Sequence, residues 1–189
     1  VEACFELASE VIDTHRLEPG EGVSYSLTWQ AERQPTATAI HYPHKGRYRS
    51  CTYIELDRLS DAYARGLQDY GIGKGTRTAL MLTPGLEFFA VFFALFKAGA
   101  VPVLIDPGIG LKPLKQCLAE AEPTAFIGVN RAHLARKLLG WARKSCALTI
   151  TAGPRFGLGG ISLKQLRKLG EKSTATTPQS VDPDDMAAI

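Results

Sequence analysis

The sequence predicts an α/β domain: a largely parallel sheet with covering helices, preceded by a helical leader and a short β-hairpin. Three observations carry that prediction. Apolar runs of strand length, at 79–82, 101–105, 125–129 and 147–151, alternate with helix-length segments from Thr52 onward, and such alternation marks a helix-covered parallel sheet. The runs are rich in Leu, Ile and Val rather than alternating with polar residues, as befits strands buried on both faces. Residues 78–108 read as one complete βαβ unit: a strand, a turn at Pro84-Gly85, a helix over Leu86–Lys97, and a second strand closed by Asp106-Pro107-Gly108.

The elements follow in chain order. Phe5, Leu7, Val11 and Ile12 predict a short amphipathic helix in the leader, residues 1–34, which ends at Pro19-Gly20. A second helix over 26–32 packs Leu27 and Trp29. Residues 38–42 and 48–52 read as strands around a turn at 43–47, where Gly46 is free to take positive φ. Thr52 and Glu55 have the spacing of a capping box, and Leu56, Leu59, Tyr63, Leu67 and Tyr70 then form one apolar stripe. Gly71 stops that helix. Gly71 to Gly75 invite a phosphate-loop reading, but a dinucleotide fingerprint follows a strand and opens a helix. This one does the reverse, so it is a turn with Lys74 exposed.

The next helix, Leu86–Lys97, carries Phe88, Phe89, Val91, Phe92, Phe93, Leu95 and Phe96. A helix apolar on almost every side is expected to be covered on every side, at the centre of the domain. Leu111, Leu114, Leu118 and Ala121 mark another helix before Pro123. Leu134, Leu138 and Trp141 predict the inward face of a further one, with Arg131, Arg136, Lys137 and Arg143 outside. Ser162 caps a short basic helix, the Ser/Thr/Pro-rich stretch 171–180 reads as mobile, and 186–189 reads as the start of a buried strand.

Composition narrows the class. The chain has 189 residues, 45% of them hydrophobic and 22% charged, which fits one globular domain or a large piece of a bigger one. A chain of this size buries roughly two-thirds of its unfolded surface without staples. Cys4, Cys51, Cys117 and Cys146 form no CxxC pair and have no His partner at metal-ligand spacing; they read as reduced thiols of a cytoplasmic protein. His41 and His44 flank the predicted hairpin turn with no third ligand near, so no metal site is expected. The N-terminal residues carry Glu2, Glu6, Glu10 and Asp13 instead of a basic n-region. Glu87, Lys97, Gly99 and Pro102 interrupt the longest apolar stretch, short of the roughly 20 residues a membrane span needs.

Charge is uneven. Residues 111–172 hold twelve basic and three acidic side chains, a local +9 within a net charge of +3. Such a stretch could present a basic face to an anionic partner, or be the solvated sides of ordinary helices. Nucleic acid is excluded as that partner because basic and aromatic residues are not interleaved.

Beyond this the residues resemble a known family. The text from Thr52 to Leu67, then GIGKGTRTALM, PGLEFFAVFFALFKAGAVPVLIDPG and finally DPDDMAAI, is similar to the N-terminal subdomain of adenylate-forming enzymes, the superfamily of acyl-CoA synthetases, luciferases and adenylation domains. EFFAVFFALFKAGAVPVLIDPGIG, LKQCLAEAEPTAFIG and AHLAR resemble in particular its olefin-biosynthesis branch, the β-lactone synthetases. The likeness covers about residues 35–189 and more loosely 1–34. It implies ATP-dependent carboxylate activation to an acyl-adenylate, with ATP and Mg as cofactors, CoA left open, and a long-chain acyl or β-hydroxy acid as substrate. Partners implied by the branch are a decarboxylase and a reductase.

In that family a TSGSTGxPKG-type phosphate loop follows the strand matched by residues 185–189, so the chain is expected to stop before it. The resemblance therefore carries no catalytic, cofactor-binding or metal-binding residue onto this chain, which alone is expected to be inactive. What remains is a wall. Ligands of parallel sheets sit beyond the carboxyl ends of the strands, here Thr83, Pro84 and Gly85, then Asp106, Pro107 and Gly108, then Gly128, Val129 and Asn130. Turn geometry and helix capping are the competing reading of all of them. Two alternatives stand beside lactone formation: an acyl-CoA or acyl-carrier ligase, and a non-catalytic module that docks through the basic face of 111–172.

Overall fold

A computed structural model describes residues 23–105, 110–143, 145–154, 157, 160–178, 186 and 188–189. The helix predicted over 5–12, together with Asp106, Pro107 and Gly108, lies outside these residues. The described residues begin with α1 (Val23–Arg33) and a hairpin of β1 (Thr38–His44) and β2 (Arg47–Thr52). It continues through α2 (Tyr53–Asp69), β3 (Arg77–Met81), α3 (Leu86–Lys97), β4 (Val101–Leu104), α4 (Leu111–Ala121), β5 (Ala125–Val129) and α5 (Asn130–Leu139). The last elements are β6 (Leu148–Ala152), β7 (Ile161–Ser162) and α6 (Leu163–Lys172). The main sheet is five-stranded in the order β4-β3-β5-β6-β7, with every pairing parallel.

Local chemistry explains the boundaries. The hairpin turns at Lys45 (φ 49°) and Gly46 (φ 75°), two positive-φ residues that match the twist of paired strands. The Thr52 hydroxyl accepts from the Glu55 amide, while the Glu55 carboxylate accepts from the Thr52 amide at 2.8 Å. These bonds, backbone first, hold the Glu55 carboxyl below its usual range. Ser162 and Gln165 form the same reciprocal cap on α6.

The sheet divides the core in two. On one side α2, α3 and α6 pack Leu67, Leu95 and Leu166 against Leu80, Ile127 and Ile150. On the other, Leu114 and Leu118 of α4 and Ala132 of α5 cover Ala79 and Phe126. α2 and α6 approach at Gly66 and Gly170, where a Cβ on either residue would collide with the backbone of the opposite helix.

Four expectations are corrected. α3 is not covered on every side: Phe88, Phe92, Phe93 and Phe96 are half-buried and Phe89 is exposed. Only Ala90, Val91, Ala94, Leu95 and Lys97 are buried, because α3 is a member of one helical layer. Its phenylalanines pack on each other along the helix flank, with Phe88 and Phe92 stacked at 6.1 Å and Phe92 edge-on to Phe96 at 4.8 Å.

α5 turns a different face inward. Ala132 and His133 are buried, whereas Leu134 and Leu138 are 51% and 76% exposed. β5 runs into α5 without a loop, so the first turn sets the face, and a Cβ on Gly128 would already lie 3.3 Å from that of Ala132. Arg136, predicted outside, lays its guanidinium 5.6 Å from the centre of the Phe126 ring, as an amphipathic side chain can.

The basic residues of 111–172 do not form one face, since α4 and α5 lie on one side of the sheet and α6 on the other. Ile189 does pair with β4: its amide donates to the Pro102 carbonyl and its carbonyl accepts from the Leu104 amide, both at 3.0 Å. Yet it remains 45% exposed.

The core also holds a charge that apolar patterning hides. Lys97 is completely buried. Its ammonium donates to Asp57 Oδ1 at 2.7 Å, to Asp61 Oδ1 at 2.6 Å and to the Asp57 carbonyl at 3.2 Å. Thr28 of α1 donates to the same Asp57 oxygen at 2.8 Å. The ammonium, whose three protons all find acceptors, ties α3 to α2, and Asp57 in turn ties α2 to α1.

Among the described residues, no helix is long and apolar enough to cross a membrane, and no cluster of three or more His, Cys, Asp or Glu could hold a metal. Cys51, Cys117 and Cys146 are free thiols, and burial is the first cause that pushes Cys51 and Cys146 above the usual thiol range.

Candidate functional site

An open parallel sheet has a crevice where neighbouring strands send their connections to opposite faces. β3 leads into α3 on one side of the sheet, and its neighbour β5 leads into α5 on the other. The switch point therefore lies beyond Met81 and Val129. A cavity of about 650 Å³ opens there. Leu80, Met81, Leu82, Thr83 and Pro84 form one wall, Leu104 and Ile105 a second, and Phe88, Val129 and Ala132 complete the lining. None of these residues is titratable, and the Thr83 hydroxyl is the lone polar side-chain group among them.

The helices at this end share a second property. α3, α4 and α5 start at the carboxyl ends of β3, β4 and β5, with Gly85, Gly110 and Val129 as N-caps and no side-chain cap bond on any of them. By contrast α2 and α6 carry complete capping boxes. The first amides of a helix have no internal acceptor, and the helix dipole adds partial positive charge there. The crevice thus combines apolar walls with uncapped helix starts around it. That suits a ligand with a hydrocarbon body and an anionic end.

Thr83 and Pro84 stand on the cavity wall. Gly85 is the N-cap of α3, with an extended backbone (φ 162°) and ordinary space for a Cβ, so neither strain nor crowding demands glycine there. Asn130 is the first residue of α5 and does not line the cavity. Its Oδ1 is buried without a partner, and its Nδ2 sits beside Gly153. Asp106, Pro107 and Gly108 lie outside the described residues.

Val129, at the end of β5, lines the cavity as the strand-end reading expects, whereas reading loops alone missed Leu80, Met81, Leu82, Phe88, Leu104, Ile105 and Ala132. The signal that finds Phe88 and Ala132 is helical: each sits in the first turn after a strand's carboxyl end. Behind the site, His133 is buried, with Nε2 donating to the Ile150 carbonyl at 3.0 Å. Burial lowers its pKa despite that bond, so the imidazole is neutral and structural.

An apolar crevice at the switch point of a parallel sheet defines an α/β ligand-binding scaffold. Comparison with known proteins specifies the family. The model of the AMP-binding enzyme family matches residues 27–189, and the chain belongs to that family. It is 53% identical over 137 residues to an olefin beta-lactone synthetase of Stenotrophomonas maltophilia, covering 72% of this chain and 24% of that protein. To the olefin beta-lactone synthetase of Xanthomonas campestris it is 43% identical over 185 residues, covering 94% of this chain and 33% of that protein. The chain thus spans about a quarter to a third of these relatives. A long-chain-fatty-acid-CoA ligase from Archaeoglobus fulgidus shares the fold, with a TM-score of 0.77 at 19% identity over 92% of this chain and 35% of that one.

Proposed function

We propose that the whole protein is an ATP-dependent, AMP-forming synthetase that converts a long-chain β-hydroxy acid to a β-lactone. The observation that carries this is the 53% and 43% identity to two olefin beta-lactone synthetases. In the proposed reaction the substrate carboxylate takes the adenylyl group of ATP and pyrophosphate leaves. The substrate's own β-hydroxyl then attacks the activated carbonyl, loses its proton and expels AMP, so no CoA is consumed. The crevice at the switch point takes the hydrocarbon of the acyl substrate, with Thr83, Pro84, Phe88 and Ala132 as its wall; Gly85, Asp106, Pro107, Gly108 and Asn130 are carried into the proposal as substrate-side residues from the sequence alone. Among the described residues its lining carries no charge that would hold triphosphate or Mg, and no step is assigned to these residues through either. The proposal includes a cytoplasmic setting, a reductase that supplies the β-hydroxy acid and a decarboxylase that consumes the lactone.

The competing ligase reading is favoured by the fold likeness to a fatty-acid-CoA ligase; in it an external thiol of CoA or a carrier attacks instead. Incubating the full-length protein with ATP and a 3-hydroxy fatty acid separates the two. Lactone formed without any thiol supports the proposal, and strict dependence on a thiol refutes it. The docking-module reading loses its basis, because the single basic face it needs is split across the sheet.

A further inference from the structure

A second concave site lies away from the crevice and shares none of its lining residues. The β-hairpin, α2, the first residue of α3 and α6 enclose a cleft of about 840 Å³. Its floor is apolar, made by Cys51, Leu59, Ala62 and Leu86, and four guanidinium groups surround it: Arg49, Arg58, Arg65 and Arg167.

Two carboxylates also border the cleft, and both are already engaged. Glu55 accepts from the Thr52 amide and hydroxyl at 2.8 and 3.0 Å, and Glu171 pairs with Arg167 at 2.7 Å. Arg65 donates its Nε–H to the Gly170 carbonyl at 3.0 Å, which fixes the guanidinium plane and leaves its Nη groups for another acceptor. Arg49, Arg58 and Arg65 have no carboxylate partner among the described residues. The planar fork of a guanidinium matches a carboxylate or phosphate in two-point contact.

We propose that this cleft binds an amphiphilic anion: one carboxylate or phosphate head held by Arg58 and Arg65, with an alkyl chain along Leu59, Ala62 and Leu86. The volume falls in the range of small-molecule sites, and an apolar floor bordered by a few polar groups is what such sites present. Neither a neutral alkyl chain nor a bare phosphate uses both halves of the cleft.

Titration of the full-length protein with decyl phosphate, below its micelle concentration and followed by calorimetry, tests the site. Saturable binding is expected. It weakens at least about tenfold in Arg58→Gln/Arg65→Gln and falls steeply between about 50 and 500 mM salt, since exposed charges are screened. Arg131→Gln, on the opposite side of the sheet, leaves it unchanged. Inorganic phosphate and decanol each bind at least about tenfold more weakly than decyl phosphate, as half-ligands of a site that uses both ends. Equal affinity of wild type and the double variant, with both folded by circular dichroism, overturns the proposal. So does equal binding of inorganic phosphate, which removes the alkyl contribution, or of decanol, which removes the anionic one. Lactone formation by the same double variant is scored separately, so failure of this site and failure of the proposed activity are distinguishable.

Discussion

Replacing Lys97 by Met tests the reasoning about the core most severely. The substitution is close to isosteric along the stem, so packing changes little, and what is lost is the ammonium. That group is completely buried and makes three charge-assisted bonds, two to carboxylates and one to the Asp57 carbonyl. Without it, Asp57, with its side chain 11% exposed, keeps the Thr28 bond but no counter-charge, whereas Asp61, 31% exposed, can turn to water. Breaking a buried ion pair from one side costs about 3–5 kcal/mol, while replacing the whole pair by apolar residues is often close to neutral. Lys97→Met is therefore expected to lose about 3–5 kcal/mol, and Lys97→Met/Asp57→Leu to recover more than half of that. At about 2–4 °C per kcal/mol for a chain of this size, the single variant melts about 6–20 °C lower. Urea titration followed by far-UV circular dichroism measures both variants. A loss below about 1 kcal/mol for the single variant, or an equal loss in both, refutes the claim that an uncompensated carboxylate is what costs stability.

Three further outcomes follow from particular contacts. Gly170→Ala sets a Cβ against the Ala62 carbonyl and 2.6 Å from the Gly66 nitrogen, so α2 and α6 must separate, and the urea midpoint should report a loss of about 1–3 kcal/mol. Thr52→Ala removes the cap of α2 and should cost about 1 kcal/mol in the same assay. Burial holds the pKa of His133 below 6.5, so on acidification the unfolded chain takes the proton first. Stability is then retained above the unfolded value and falls as pH drops below it, by up to about 1.4 kcal/mol per pH unit until the folded group titrates. His133→Gln should flatten that part of the profile, and equal slopes for the two proteins between pH 7.5 and 5.5, roughly the window bracketing the unfolded pKa, count against it.

Much of the fold was legible because its signals are local. The Thr52–Glu55 box, the Lys45-Gly46 turn and the apolar runs of β3, β5 and β6 each state their conformation within a few residues. Errors arose where tertiary contacts outrank periodicity. Leu134 and Leu138 mark a stripe in α5, but the short β5–α5 junction brings Ala132 and His133 to the sheet instead. Lys97 looked like the polar end of an apolar helix, because its acceptors lie 36 and 40 residues earlier in α2. The arginine cleft was likewise invisible, since its side chains come from β2, α2 and α6. The position of the crevice could be anticipated from strand ends, whereas its lining depended on strand order, which no local pattern contains.

The distribution of caps connects stability to function. Against Ser or Asp, a glycine N-cap costs a helix roughly a few tenths of a kcal/mol and a valine about 1 kcal/mol; α3, α4 and α5 carry that cost, with the positive φ of Gly110 calling for glycine at α4, whereas α2 and α6 are furnished with reciprocal boxes. The bare ends are those at the carboxyl edge of β3, β4 and β5, the strands around the crevice. A side-chain cap there would occupy the very amides that an anionic ligand end needs and would place a polar group against an apolar wall. The cost is thus concentrated where binding can offset it. A Ser or Asp introduced at Gly85 distinguishes the two interests: by supplying a cap it should stabilise the fold by roughly a few tenths of a kcal/mol and weaken acyl-substrate binding in the full-length protein. If it stabilised without any effect on binding, the bare helix starts would be a local accident of strand-to-helix geometry.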